Sequence, residues 1–330
     1  MSYPRPLSEK SLARLYDQSG LSQEQSDYLH KLFAACANLY GSIDLRSVWN
    51  LYREELKAQK IRKKDLMAFS GIARRETQPY YIFEVDEIYF GETRADIERE
   101  IVSGLLIGAG YGKNMSFYLL QDSRSPIPWY YAKNILDFAE PVLPPEGQFL
   151  QTYLGTLKVT ASEYAPEHGA RVPCENRGKT LNQFSFLNRM ERFDESYYAS
   201  KPAELKHLHE ETAGTEAEKI VRQYWQRERI GHIDSSTSLK WVLEELNEVG
   251  VELSDKQLNK LVRLLQDFHN GMHLWCALGW RPVDLVSVLP PSMPKQISFG
   301  PNMQKQFAEG SLNKEELVRM LHEQGIEVVD

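Results

Sequence analysis

The feature that most narrows what this chain can fold into is a change of hydrophobic spacing between residues 62 and 90. Up to Ala73 the apolar residues recur every three or four positions, and after Tyr80 they alternate. The first spacing marks a helix with one buried face, the second a half-buried strand. Upstream, Leu29, Leu32, Phe33, Cys36, Leu39 and Tyr40 form one helical stripe beginning near Ser26, and Gly41 stops it. Asp44 is a suitable N-cap for a second helix that would face inward through Leu45, Val48, Trp49 and Tyr52. A third should open near Arg62 with Leu66, Phe69 and Ile72 or Ala73 inside. Tyr81 and Phe83, then Ile88 and Phe90 beyond the polar break Glu84 to Glu87, predict two short strands paired as a hairpin. Three helices backing a small flap is the plan of a winged helix. The expected fold class is therefore mainly α (α+β), a winged-helix-like module followed by helical domains.

Charge is unevenly placed along the 330 residues, whose net formal charge is -7. Residues 1–75 hold thirteen Lys or Arg against eight Asp or Glu, a surplus of +5, so the remainder carries -12. That balance excludes a chain-wide basic surface and leaves room for a basic patch on the first module. Arg62, Lys63, Lys64, Arg74 and Arg75 are the candidate nucleic-acid contacts. The first three fall at the start of the third helix, the element that enters the major groove when such a module binds DNA. Against this, Glu84, Asp86 and Glu87 would put acids on the wing, where a phosphate backbone repels them.

The rest of the chain offers architecture more than chemistry. Ile97, Ile101 and Leu105 predict a helix opening at Thr93 or Asp96, and Met115 to Leu120 a short strand. Pro128 suits the first turn of a helix reaching Phe138, and another is expected from Gly147 to Leu157. The glycines of Gly108-Ala109-Gly110-Tyr111-Gly112-Lys113-Asn114 do not make a phosphate loop, because Ile107 and Asn114 stand where that motif needs Gly and Ser or Thr. Residues 160–180 lack a period and mark a domain boundary, and residues 184–193 suggest a short helix. Three amphipathic helices follow, carried by Ala217 to Trp225, Leu239 to Val249 and Leu258 to Trp275, and together they predict a small bundle. After the prolines at 290, 291 and 294, Asn313 and Glu316 cap a last helix with a narrow stripe of Leu317, Met320 and Leu321. The expected organisation is an arm or short leading helix (1–24), the winged-helix-like domain (25–92) and a helical extension (93–160). An irregular segment (161–211), the bundle (212–289) and a linker with its helix (290–330) complete it.

Two further side-chain groups are candidate sites. His269, His273 and Cys276 fall at i, i+4 and i+7, a spacing that puts all three on one face of a continued helix and suits zinc. Met272 and Trp275 in the same turn border a core, where histidines commonly serve packing, so no metal and no cofactor is assigned. Trp129, Tyr130, Trp275 and Trp280 are the candidate protein-interaction residues, since aromatics concentrate in interface cores. No catalytic residue is assigned. Three widely spaced cysteines argue against a disulfide scaffold and for the cytoplasm. The longest weakly apolar run, Ile101 to Tyr111, is eleven residues with three glycines, too short for a membrane span.

Tyr40-Gly41 with Trp49 to Tyr52, the stretch LQDFHNGMHLWCALGWRPVDL from Leu265 to Leu285, and Ile297-Ser298-Phe299-Gly300-Pro301 resemble a family of uncharacterised proteins from Gram-positive bacteria. Some members end in a cysteine-rich SEC-C metal-binding tail, which this chain lacks, having no Cys after Cys276. The resemblance implies the architecture and no activity. The function expected from the sequence is a protein-interaction or scaffold role, with another protein or a second copy as partner. The alternative is a nucleic-acid-binding or regulatory protein using the basic third helix.

Overall fold

Of the three helices predicted for the first module, the first closes at Gly41 but opens at Ser22 rather than near Ser26, and the second and third open behind Asp44 and Arg62. The computed structural model describes residues 3–88, 94–107, 113–124, 126–164, 172–173, 175–185, 214–231, 235–288, 296–297, 301–308, 313–323 and 327–328. Helix α1 (Glu9–Ser19) turns the first part of the expected arm into a leading helix, capped by Ser8. Helix α2 (Gln23–Tyr40) opens on a Ser22–Gln25 capping box and buries Leu29, Leu32, Phe33, Cys36, Leu39 and Tyr40 completely. Strand β1 (Ser42–Asp44) follows, and the Asp44 carboxylate accepts the Ser47 N–H at 2.9 Å to start α3 (Leu45–Leu51). After a break at Tyr52 come α4 (Arg53–Ala58) and α5 (Lys63–Ala73).

The expected hairpin is corrected. Strand β2 (Tyr80–Phe83) is present, but residues 85–88 form a helical turn, α6 (Val85–Ile88), and the partner of β2 is β3 (Glu100–Ser103). Residues 89–93, including Phe90, lie outside the described residues. The helix expected through Ile97 and Ile101 is thus a 3-10 turn followed by a strand. A spacing of four, as in 97, 101 and 105, is an even number as well as a helical one, so it fits both periods. Pairing decides: Ile101 sits between Ile43 of β1 and Ile82 of β2 in an antiparallel sheet of order β1-β3-β2. The last strand in the middle, with helices between the first and second, gives a winged-helix-like topology.

Both faces of this sheet are covered. Ile43, Ile82 and Ile101 pack on α2, α3 and α5. Phe83 and Val102, one residue along, pack with Leu106, Phe117, Leu120, Ile230 and Trp275. Leu106 belongs to α7 (Gly104–Ile107), and Phe117 and Leu120 belong to α8 (Lys113–Ser123). The strand expected at Met115 to Leu120 is therefore a helix, because its two inward residues are three apart and both go inside. The helix expected from Pro128 is replaced by extended chain and a 3-10 turn at Ile135–Phe138. There the Tyr130 N–H bonds to the Leu278 carbonyl and the Tyr130 carbonyl to the Tyr40 hydroxyl, so tertiary partners take the place of helical ones.

Helix α9 (Pro145–Thr156) packs against α10 (Glu216–Ile230) and α12 (Asp255–Gly271), and α10 also packs on α11 (Ser235–Glu248). Residues 163–164 and 172–173 form a two-stranded ladder, β4–β5. The short helix expected at residues 184–193 and the glycine run at 108–112 lie outside the described residues, apart from Phe184 and Ser185. Residues 1–283 cluster as one compact unit and residues 284–330 as a second. Helix α13 (Pro282–Val288) spans that division. The second unit holds α14 (Pro301–Ala308), α15 (Lys314–Glu323) and a parallel pair, β6 (Gln296–Ile297) with β7 (Glu327–Val328). Asn313 caps α15 through the Glu315 N–H at 3.0 Å.

The segment after α12 locks the first unit together. Trp275 is 0% exposed, and its indole N–H donates to the Asn38 carbonyl at 2.9 Å. Its ring lies against Gly41, where a Cβ would meet it at 2.5 Å, and Gly41 has φ +72°. Trp275→Ala is expected to cost about 3–5 kcal/mol by emptying this seat. Gly41→Ala should also destabilise, through strain and collision together. Urea unfolding followed by circular dichroism measures both, and an unchanged midpoint in either variant would contradict the packing described.

Candidate nucleic-acid interface

The corner between α4 and α5 is pinned from below and open above. Lys60 turns the chain with φ +59°, and the Gln25 amide bonds the carbonyls of Gln59 and Lys60, each at 3.2 Å. Ile61 is buried beneath the turn, while Arg62, Lys63 and Lys64 are exposed at the start of α5. Asp65 accepts the Arg62 backbone N–H at 2.9 Å and its guanidinium at 2.7 and 3.0 Å. Those Arg62 hydrogen bonds hold the Asp65 carboxyl below the usual carboxylate range. The Arg62 side chain is still 69% exposed. Among the described residues Lys63 and Lys64 have no hydrogen-bond or ion-pair partner, whereas nearby Lys57 pairs with Glu54 at 3.0 Å.

The other two candidate cations are placed differently. Arg74 is half-buried and bridges Glu84 at 2.5 Å and Glu87 at 2.6 Å, so its charge is spent inside the module. Arg75 is half-buried, and its carbonyl accepts the Leu7 N–H at 2.8 Å. Glu84 also binds Arg99 at 2.9 Å, and Arg99 reaches the Ser70 hydroxyl at 3.0 Å. Of the acids expected on the wing tip, Glu84 pairs with Arg74 and Arg99, and Glu87 with Arg74.

Helix α1 packs beside α5, and its Tyr16 joins a polar cluster centred on His30 of α2. Tyr16 and Glu76 meet His30 Nε2 at 3.1 and 3.2 Å, and Tyr80 meets Nδ1 at 2.9 Å. Burial lowers the His30 pKa, with Glu76 pulling the other way.

The four aromatic candidates all make contacts within the fold. Trp275 is fully buried. Trp129 is half-buried, edge-on to Tyr40 at 5.2 Å with the Arg124 guanidinium 5.1 Å from its ring. Tyr130 lies 5.0 Å from the Trp280 ring, and the Trp280 indole N–H donates to the Pro128 carbonyl at 2.8 Å.

The three residues weighed as metal ligands do not converge. Helix α12 ends at Gly271 and Met272 is extended, so His273 and Cys276 leave the face that carries His269. His269 pairs with Glu228 at 2.6 Å and His273 with the Gly279 carbonyl at 2.6 Å. Burial pushes the Cys276 thiol up to about 11. Among the described residues no group of three His, Cys, Asp or Glu could hold a metal ion, and no helix is long and apolar enough to cross a membrane.

Sequence reading missed Glu100 and Arg229, both concealed because a charged residue normally reads as surface. Glu100 sits in the central strand and accepts the Ser42 hydroxyl at 2.7 Å. Burial pushes its carboxyl up to about 7, opposed by Ser42 and Arg124. No family model, curated protein or solved structure matches the chain.

Glu100 generates a pH prediction. Because its folded pKa is raised to about 7 from the ordinary 4.5, the folded state holds the proton longer than the unfolded one. Stability from this group is full at low pH and is lost as pH rises through that window. Glu100→Gln, which cannot ionise, should therefore gain in Tm relative to the parent between pH 5 and pH 7.5. A constant difference across that range would show that the carboxyl does not titrate there.

Proposed function

We propose that this chain binds nucleic acid through the corner formed by α4 and α5. The observation that carries the reading is the pair of exposed, unpaired lysines, Lys63 and Lys64, at the start of the third helix of a winged-helix-like module. Helix N-termini offer free N–H groups to phosphate, and the lysines and Arg62 add positive charge beside them. Neutralisation of Glu84 and Glu87 by Arg74 and Arg99 removes part of the repulsion that acids in the wing would exert. The charge of -12 on residues 76–330 confines contact to this one region. Arg62, Lys63 and Lys64 then position the phosphate backbone, and Arg74 has a structural part only. Internal use of Trp129, Tyr130, Trp275 and Trp280 supports this reading over docking of a partner by those aromatics.

Fluorescence anisotropy with labelled duplex and single-stranded oligonucleotides tests the proposal. Binding should weaken steeply with salt, and Lys63→Glu with Lys64→Glu should flatten the log–log slope by about 2, since each phosphate neutralised contributes about 0.9. The double variant should keep its stability within about 0.5 kcal/mol, both residues being exposed. No binding at low salt, or an unchanged slope in the variant, would overturn the reading.

A second reading, docking of another protein or a second copy, is favoured by Val142 and Phe149, each 66% exposed. It predicts that Phe149→Ser shifts a concentration-dependent mass in sedimentation. A monomer at all concentrations would remove self-association.

A further inference from the structure

The side chains of Arg74, Arg99 and Arg229 are treated in two different ways. Arg74 and Arg99 each pair with two carboxylates, Glu84 and Glu87 for the first, Glu84 and Asp96 for the second. Arg229, in the last turn of α10, is 3% exposed and has none. Among the described residues its guanidinium has no hydrogen-bond or ion-pair partner, and its Nε is fully enclosed. It lies 4.2 Å from the Trp275 ring centroid and 4.8 Å from that of Trp225. The carbonyls closest in sequence are taken: Arg229 O accepts the N–H groups of Trp275 and Cys276 at 2.8 and 3.2 Å, and Ile230 O accepts the Ser123 hydroxyl at 2.7 Å.

This arrangement is costly as it stands. Removing a guanidinium from water costs several kcal/mol. Contact with two indole rings offsets part of that cost and supplies no hydrogen-bond acceptor to the N–H donors around the edge. Burial pulls the group down to about 9, with no carboxylate acting in the other direction. A planar cation that sits over two indole rings and has no hydrogen-bond partner along its edge among the described residues matches an oxyanion that accepts two parallel N–H bonds.

We infer that Arg229 is the anchor of an oxyanion site that takes a phosphate or carboxylate group of a small ligand. The guanidinium sits over the rings of Trp225 and Trp275, and the anion meets its edge. Because Trp275 also closes on Gly41 and Asn38, an occupant there tightens the join between α10 and the end of α2. The site is separate from the α4–α5 corner and does not depend on the nucleic-acid reading.

Inorganic phosphate is the probe, titrated by calorimetry at constant ionic strength against chloride, with citrate as the carboxylate arm. The full chain should bind phosphate or citrate saturably and melt at a higher temperature when it does. Arg229→Lys, which keeps the charge and loses the two-pronged donor, should lower the affinity at least tenfold. Lys63→Glu with Lys64→Glu should leave it unchanged. Where Arg229→Lys fails to fold, the indole N–H signals of Trp225 and Trp275, assigned through Trp→Phe variants, report on the parent protein and should move on saturation. Heat that matches chloride for both anions, unmoved indole signals, or binding abolished by the α5 variant instead would each overturn the inference. The last result would place the anion on the basic corner.

Discussion

The closure of Trp275 onto Gly41 is the contact on which the rest of the first unit depends. A winged-helix-like sheet ordinarily needs only its helices on one face, and the other can meet water. Here the second face carries Phe83 and Val102, and it is sealed by α7, α8, Ile230 and Trp275. Trp275 arrives from the far end of the described unit, and it fits only because residue 41 has no side chain. The Asn38 carbonyl, in the last turn of α2, accepts the indole N–H. One side chain thus satisfies a helix end, fills the sheet's second core and ties the helical body to the front module.

The same region sorts the arginines. Where the chain brings carboxylates to a half-buried guanidinium, as at Arg74 and Arg99, the charge is cancelled locally and the wing base becomes a rigid ion network. Where it brings indoles instead, as at Arg229, the charge is enclosed without being cancelled. At Lys63 and Lys64 neither happens, and the charge faces outward. A count of basic residues treats all three cases alike, but only the last is available to a polyanion.

The cysteine and histidines near residue 273 show why spacing has limits. His269, His273 and Cys276 share a face only if α12 continues, and it stops at Gly271 because the chain must turn to deliver Trp275. His269 then pairs with Glu228, and His273 with the Gly279 carbonyl. Likewise, nothing near Trp129 and Tyr130 in the chain shows that residues 278–280 come to meet them.

What the amino-acid order determined by itself is the set of helices with a full apolar stripe and a cap: α2 with its Ser22 box, α3 behind Asp44, α5 behind Arg62, α12 behind Ser254. Those features depend on residues within one or two turns of each other, so they can be read without coordinates. The tertiary structure alone decided that β3 rather than residues 88–90 pairs with β2, that Glu100 is half-buried in the central strand and Arg229 interior, and which cations remain outside. Strand pairing, charge pairing and burial join residues tens or hundreds of positions apart, and local spacing carries no record of which distant group will arrive.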